Sequence, residues 1–354
     1  MGGMRFPSTP FCRLATCLLI LAAFAPEIAI SNPQTPDQGA SNRVLVGLWD
    51  RSWGLTLALP GFSIKENDIK PDGRRYLLAE NLATMMEVSV FLEDASQSRA
   101  GKSCRETMEE QVRDTPQNFA LQIVGGIEKK DAKIWEADEK TFLDYTVPSI
   151  TLPGTKTVAL HQKNRLVCFE RDNAFIDLHL SKPDFQPSDE PLFTQIVNSI
   201  EFREGIVRHS MDYLQVGSLF YLSHNYQKAI PPYARALELE QKGRQLDKKL
   251  WYVLVDNLGM AYGITGNLDK ARETFAYGIQ EDPDYPLFYY NMACYYGEKG
   301  DATNAAAYLQ KAYQRRANMI GGETMPDPRS DDSFKKLLKD KEFRKTVDSI
   351  VDGS

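Results

Sequence analysis

Small residues recur through the C-terminal third of the sequence at a spacing that constrains its fold more than any other feature does. Three pairs of small residues are each twelve positions apart, with large apolar residues between and after them: Gly217 and Ala229, Gly259 and Ala271, and Ala293 and Ala305. Strand patterns end near Met211. Such a self-similar pattern predicts antiparallel helical hairpins, because a small residue lets two helices approach closely.

This pattern of small and large residues resembles the tetratricopeptide repeat (TPR). Ala271 and Ala305 are separated by the 34-residue step of that family, and Pro283 stands where its second helix ends. The resemblance implies three TPR-like repeats over residues 209–317, which would form an all-α solenoid of helical hairpins.

One repeat is longer than the family's step. Ala229 and Ala271 are 42 residues apart, and the eight extra residues lie around Gln241–Lys248. Two more turns of helix, at roughly 3.6 residues each, would accommodate them. Gly243 makes a small loop the alternative.

A polar cap is expected after the third repeat, since the last hairpin of a stack would otherwise expose its apolar face. Residues 318–354 can supply capping helices. Asp331-Asp332-Ser333 precedes a predicted helix from Phe334 with an apolar stripe that continues through Leu337, Leu338, Phe343 and Val347. This ending, together with Tyr290-Asn291-Met292-Ala293-Cys294, resembles the end-of-group segment of bacterial secreted TPR proteins.

Short strand patterns dominate residues 43–203 and predict an α+β sandwich domain. Its first and last motifs, Leu57–Phe62 and Ile196–Phe202, resemble the ends of the fold shared by PsbP-like photosystem proteins and a Ran-binding import factor. Two helices are predicted, Ser103–Arg113, with Ser103 and Glu106 as a capping box, and Asp189–Ser199. The predicted strands are Trp53–Leu59, Tyr76–Glu80, Met86–Phe91, Phe119–Ile127, Lys133–Ala137, Thr141–Val147, Thr157–Gln162, Arg165–Arg171 and Ala174–Leu180.

The first 31 residues read as a bacterial signal peptide, cleaved near Ser31. Arg5 and Arg13 precede the apolar run Leu14–Ala25, and small residues follow it. The alternative of a membrane anchor is disfavoured because the run is shorter than the roughly 20 residues that span a bilayer. Lipidation at Cys17 is a minor alternative. Residues 32–42 are rich in polar residues and read as a linker, so we expect an exported, periplasmic or secreted protein.

Three cysteines remain after the expected leader. Export permits a disulfide, and Cys104 and Cys168 belong to the same predicted domain. Two buried reduced cysteines are an equally good reading, because cysteine is among the most buried residue types. Cys294 is expected to be a small core residue of a helix.

The TPR resemblance implies a partner-binding groove lined by the first helix of each hairpin. The family's chaperone-binding members hold a terminal carboxylate with Lys, Arg and Asn side chains. Asn257 and Asn291 stand at an Asn position of that motif, but its Lys and Arg positions are not matched. The alternative role of these two residues is a structural hydrogen bond inside the hairpin. A mostly apolar lining favours a hydrophobic or helical partner segment. The expected groove residues are Met211, Leu214, Ser218, Val253, Asp256, Asn257, Met260, Leu287, Tyr290, Asn291 and Cys294.

Composition and motifs argue against other functions. A net charge of −6 and a pI near 5.5 do not suit a nucleic-acid partner. Catalytic, phosphate-binding and metal-binding motifs are absent, so no cofactor is expected. The expected partner is a protein or peptide. Any membrane association is expected to occur only through that partner. The sequence leaves the oligomeric state open. We expect a non-enzymatic interaction scaffold; the alternative is a ligand-binding or hydrolytic N-terminal domain around His161 or His179.

Overall fold

A computed structural model of the chain describes residues 43–95, 102–113, 129–151 and 157–353. These residues form two compact units that divide between Val207 and Arg208. The predicted leader, the linker and the strand predicted at Phe119–Ile127 lie outside the described residues. The fold class is confirmed, because a sheet-rich N-terminal unit precedes an all-α unit of helical hairpins.

The N-terminal unit contains two antiparallel sheets. The larger has the strand order β3-β4-β5-β9-β8-β7-β6 and the smaller the order β1-β2-β10. Helix α1 spans Cys104–Arg113 and α2 spans Glu190–Asn198. The strands are β1 Arg43–Val46, β2 Gly54–Ala58, β3 Ser63–Ile69, β4 Arg75–Asn81, β5 Met86–Asp94, β6 Lys130–Ala137, β7 Lys140–Thr151, β8 Thr157–Arg171, β9 Ala174–Lys182 and β10 Glu201–Arg203.

Alternation along the central strands places the core. Val88 and Val90 on β5 pair with Leu180 and Leu178 on β9, and all four are fully buried. Because side chains alternate between the faces of a strand, these residues share one face, on which the small sheet and α2 complete the larger core. The opposite face carries a smaller cluster that includes Met108 of α1. A sandwich results.

Several N-terminal elements differ from their prediction. Thr157–Gln162 and Arg165–Arg171 were expected as two strands but are one, β8, because the residues between them stay paired with β7. The sequence pattern also missed β1, β3 and β10. Strand β3 has the charged sequence Ser-Ile-Lys-Glu-Asn-Asp-Ile, which suits a sheet edge exposed to water but hides the apolar alternation.

The capping box of α1 is present. The Ser103 hydroxyl accepts the Glu106 backbone N–H at 3.3 Å, and the Glu106 carboxylate accepts the Ser103 N–H at 2.8 Å. The two bonds satisfy backbone donors that the first turn of a helix otherwise leaves without partners.

The C-terminal unit begins with three helical hairpins. In each hairpin we call the first helix A and the second B. The A helices are α3 Ser210–Leu222, α5 Lys248–Ile264 and α7 Pro286–Lys299; the B helices are α4 Tyr226–Lys242, α6 Leu268–Glu281 and α8 Ala302–Gln314.

The extra residues of the long repeat contribute to both helix and loop. Helices α4 and α5 have 17 residues each, whereas α6 and α7 have 14 each. Helix α4 ends at Lys242, and the loop to α5 begins at Gly243. Buried Glu240 organises the loop, because its carboxylate accepts the backbone N–H groups of Gln245 and Leu246 at 3.1 and 3.2 Å. Both expectations for this repeat were therefore partly right.

The cap differs from the predicted helix at Phe334. Residues Asp332–Phe334 and Leu337–Lys339 form single 3₁₀ turns, and helix α9, Lys341–Asp352, follows them, capped by Asp340. The apolar stripe nevertheless packs on the third hairpin, with Phe334 and Val347 fully buried. A short 3₁₀ turn can bury one face without continuing as α-helix.

Candidate functional site

The hairpins close through contacts between a glycine and an aromatic ring. A Cβ atom on Gly217 would lie 2.4 Å from the ring of Tyr233, and one on Gly259 would lie 2.3 Å from the ring of Phe275. Opposite an aromatic ring at these distances, only glycine fits. In the third hairpin, buried Ala293 and Leu309 take the corresponding positions. These contacts fix the orientation of each A helix. We call the face of an A helix that carries the residues expected to line the groove, such as Leu214 and Tyr290, the groove face.

Most of the residues expected to line the groove are buried. Met211 is 37% exposed and Val253 is half-buried, so both are accessible. The other nine are at most 7% exposed: Leu214, Ser218, Asp256, Asn257, Met260, Leu287, Tyr290, Asn291 and Cys294. The accessible part of the predicted groove therefore lies on α3 and α5.

The two asparagines form hydrogen bonds between repeats. Asn257 Nδ2 donates to the Tyr233 hydroxyl at 3.2 Å, and that hydroxyl donates to Ser218 Oγ at 3.1 Å. Asn291 Nδ2 donates to Asp256 Oδ1. The bonds that Asn257 and Asn291 donate each join one hairpin to the preceding one. The alternative role expected for these residues, a hydrogen bond inside the hairpin, is thus replaced by a link along the stack.

The same asparagines each present a buried oxygen atom. Within the described parts of the chain, neither Asn257 Oδ1 nor Asn291 Oδ1 has a hydrogen-bond partner. A buried acceptor without a donor costs about 1–3 kcal/mol.

The groove face of α7 is covered by the chain itself. A C-terminal segment, residues 320–334, lies against it. The Tyr290 hydroxyl donates to Asp331 Oδ2 at 3.0 Å, and Cys294 Sγ lies 3.7 Å from the same oxygen. Nearer the start of α7, the Tyr285 hydroxyl donates to Glu323 Oε1 at 2.8 Å. No local sequence pattern indicated these contacts, because their partners are about 40 residues apart in the chain.

Two carboxyl groups at this contact are poorly solvated. Burial raises the pKa of Glu323 to about 7, and the negative charge of Asp256 adds to the rise. Burial likewise raises the pKa of Glu298 on α7 to about 7, with Asp331 and Asp332 contributing. Both carboxyl groups therefore titrate near neutral pH.

The two histidines of the alternative hypothesis do not come together. His179 pairs with Leu166, five residues beyond His161 along β8, which is roughly 16 Å of strand. His161 is exposed, whereas burial, aided by the positive charge of Lys129, lowers the pKa of His179 to about 4. Its Nε2 lies 3.1 Å from Asn164 Oδ1. His179 is thus a buried polar residue of the sheet, held by its contact with Asn164.

Cys104 and Cys168 form a disulfide that ties α1 to β8, with 5.6 Å between their Cα atoms. Cys294 is fully buried in α7. Among the described residues, no cluster of His, Cys, Asp and Glu side chains could hold a metal ion. None of the helices described is both long and apolar enough to cross a bilayer.

Comparisons with known proteins agree with the hairpin geometry. The family model described as tetratricopeptide repeat matches residues 287–319. A search of curated proteins finds no match.

Solved structures with similar segments include PcrH from Pseudomonas aeruginosa, which is 15% identical over 40% of this chain and 91% of its own, with a TM-score of 0.28. The Sgt2 TPR domain from Aspergillus fumigatus is 18% identical over 40% of this chain and 80% of its own, with a TM-score of 0.29. YrrB, a TPR protein with an unusual peptide-binding site, is 20% identical over 38% of this chain and 61% of its own, with a TM-score of 0.28. The match to the family model alone identifies a tetratricopeptide repeat here, since residues 287–319 include all of α8 and all of α7 except Pro286.

Proposed function

We propose that the protein is an exported, non-enzymatic scaffold that binds a segment of a partner protein along the groove face of its A helices. The observation that carries this proposal is the stack of three hairpins whose A helices present equivalent positions, with a TPR match on the third. TPR grooves bind extended or helical peptide segments.

The chemistry of the groove supports a peptide partner. Met211 and Val253 offer accessible apolar contacts on α3 and α5. Asn257 and Asn291, two of the polar residues expected in the groove, are each 1% exposed, so the accessible contacts are apolar. An apolar contact of this kind suits a hydrophobic or helical segment of a partner.

The disulfide supports export. Structural disulfides persist in oxidising compartments such as the periplasm and are rare in the cytosol. Cys104 and Cys168 therefore agree with the signal peptide expected at residues 1–31.

The pairing of the terminal strands supports a PsbP-like N-terminal domain. The two motifs on which that resemblance rests meet where the Ala58 backbone N–H donates to Ser199 Oγ at 3.0 Å, next to the pairing of β2 with β10. We propose that this domain positions the repeats within an assembly of envelope proteins.

Affinity capture from an envelope extract tests the function. Wild-type protein should retain a defined partner, and the Met211→Lys/Val253→Lys variant should lose it, because two charges would enter the apolar contact. Leu82→Lys is the matched control, since Leu82 is an 80%-exposed apolar residue of the N-terminal domain. Equal capture by all three proteins would rule out the groove as the binding site.

A further inference from the structure

Side chains hold the C-terminal segment on α7. Asp331 provides the polar contact: Oδ2 accepts from the Tyr290 hydroxyl and lies 3.7 Å from Cys294 Sγ, while Oδ1 accepts the Ser333 backbone N–H at 2.9 Å. Hydrogen bonds to a charged acceptor are stronger than those between neutral groups. Asp331 therefore fixes the position of the segment along the helix.

Phe334 provides the apolar contact. Its ring meets the ring of Tyr290 edge to face, with centroids 6.1 Å apart. It also lies over Gly297, where a Cβ atom would come within 3.0 Å of Phe334 and 2.7 Å of the Ser333 carbonyl oxygen. Gly297 thus leaves open the space that the ring occupies.

The spacing of the two side chains matches the spacing of the helix. Tyr290, Cys294 and Gly297 are four and three residues apart and lie on one face of α7. The 3₁₀ turn, closed by a 3.1 Å bond from Phe334 N–H to Asp331 C=O, places residues three apart on the same side. An acidic residue and a phenylalanine three positions later therefore fit this face together.

The contact also has features of an exchangeable one. Among the described residues, backbone-to-backbone hydrogen bonds of the segment stay within it and none reaches α7 or α8. Glu298 Oε1 and Ser333 Oγ are buried there without partners in the described chain. Gly321 and Gly322, just ahead of the contacts, have open space around them. Buried polar atoms without partners weaken the closed state.

We propose that the groove face of α7 recognises an acidic residue followed three positions later by phenylalanine. Asp331 and Phe334 occupy that place in the structure, and a partner segment with the same two side chains binds by displacing them. This inference rests on the proposed function and names the chemistry of the partner segment. The chain's own segment, tethered at roughly millimolar effective concentration, sets the affinity that the partner must exceed.

Peptide binding to the full-length chain tests the inference. The probe is a fluorescein-labelled peptide with the sequence of residues 325–338, and fluorescence anisotropy measures its binding. Asp331→Asn in the protein weakens the tethered segment but leaves α7 unchanged, so the variant should bind the probe about tenfold more tightly than wild type does. Asp327→Asn is the control, because Asp327 belongs to the same segment but bonds to Arg329.

A second probe checks the two side chains. A peptide in which alanine replaces both the Asp331 and the Phe334 equivalents should not bind the Asp331→Asn protein. Equal binding of both probes, or equal affinity of wild type and Asp331→Asn for the first probe, would overturn the inference. If Asp331→Asn lowers the melting temperature of the helical unit, millimolar first probe should restore it, and failure of this rescue is also contradictory.

Hydrogen exchange of the wild-type chain gives an independent measurement. The Phe334 amide should exchange through local opening at least tenfold faster than the slowest amides of α7. Equal rates would mean that the segment leaves only when the repeat unfolds, against the inference. If these tests fail but Met211→Lys/Val253→Lys still abolishes partner binding, the proposed function stands and this inference is wrong. If these tests succeed but the double variant still binds the partner, only the recognition of this segment stands.

Discussion

Gly259 lies so close to Phe275 that an added Cβ atom would fall 2.3 Å from Cε1 of the ring. At the equivalent positions of the third hairpin stand Ala293 and Leu309, both fully buried. The third hairpin thus combines a larger small residue with a smaller large residue than the second hairpin does.

Gly259→Ala should destabilise the helical unit by about 1–3 kcal/mol, because the methyl group forces the ring to move. Phe275→Leu should also destabilise, through the cavity it leaves. The double variant recreates the pair of the third hairpin and should cost less than the two single changes added together. Chemical denaturation followed by circular dichroism at 222 nm measures all four proteins, and additive effects would contradict the complementarity.

The disulfide should stabilise the N-terminal unit substantially. It closes a loop of 64 residues between Cys104 and Cys168, and loss of such a bond typically costs about 2–5 kcal/mol. Cys104→Ala/Cys168→Ala should therefore lower the melting temperature of that unit. The wild-type protein in dithiothreitol should melt like the variant, and the variant itself should not respond to the reductant. A variant as stable as the oxidised wild type would refute the prediction.

Glu240 should be required for the loop between α4 and α5. Its buried carboxylate accepts two backbone N–H groups, so Glu240→Ala should cost about 1–3 kcal/mol by leaving those donors without partners. Glu240→Gln retains an acceptor oxygen and should cost less. Urea denaturation compares the two, and equal losses would show that the acceptor is unimportant.

Stability of the C-terminal segment should depend on pH. The raised pKa of Glu323, about 7, means that the folded state binds its proton more tightly than the unfolded state does. The resulting stabilisation is complete below about pH 4.5, the ordinary value for glutamate, and is lost as pH rises through 7. Tyr285, Asp256 and Lys249 are the groups that interact with this carboxyl.

Glu323→Gln, which stays neutral, should therefore match wild type near pH 4.5 and exceed it at pH 8. We expect a gain of about 1 kcal/mol, allowing for the solvent-exposed part of the side chain. Thermal melts at both pH values measure the difference. The exposed Glu342→Gln serves as control, and a gain that is the same at both pH values would contradict the assignment.

Helix starts in the hairpins could have been predicted more sharply. Asn225, Asn267 and Asp301 each cap a B helix by accepting the backbone N–H three residues later, at 3.4, 3.3 and 3.0 Å. Their spacings of 42 and 34 residues repeat those of the small residues. The signal was in the sequence, because side-chain oxygens at helix starts satisfy orphan backbone donors.

The contact of residues 320–334 with the groove face of α7 could not have been predicted in the same way. Asp331 meets Tyr290 across 41 residues, through a turn whose path depends on the packing of Phe334 and α9. Periodicity predicted the groove face of α7 and the apolar cap separately. That the chain before α9 lies along that face follows only from tertiary structure. The strands β1, β3 and β10 at the sheet edges were not predicted for a related reason, because their pairing and not their composition defines them.

The pairing of β2 with β10 affects the order in which the chain can mature. Thr56 can pair with Glu201 only after almost 150 further residues have been synthesised. Such distant contacts form slowly because a long loop must close first. Each helical hairpin, in contrast, can form as soon as its second helix has emerged. During synthesis, the N-terminal unit would remain incomplete until its last strand has been made, just before the first repeat begins.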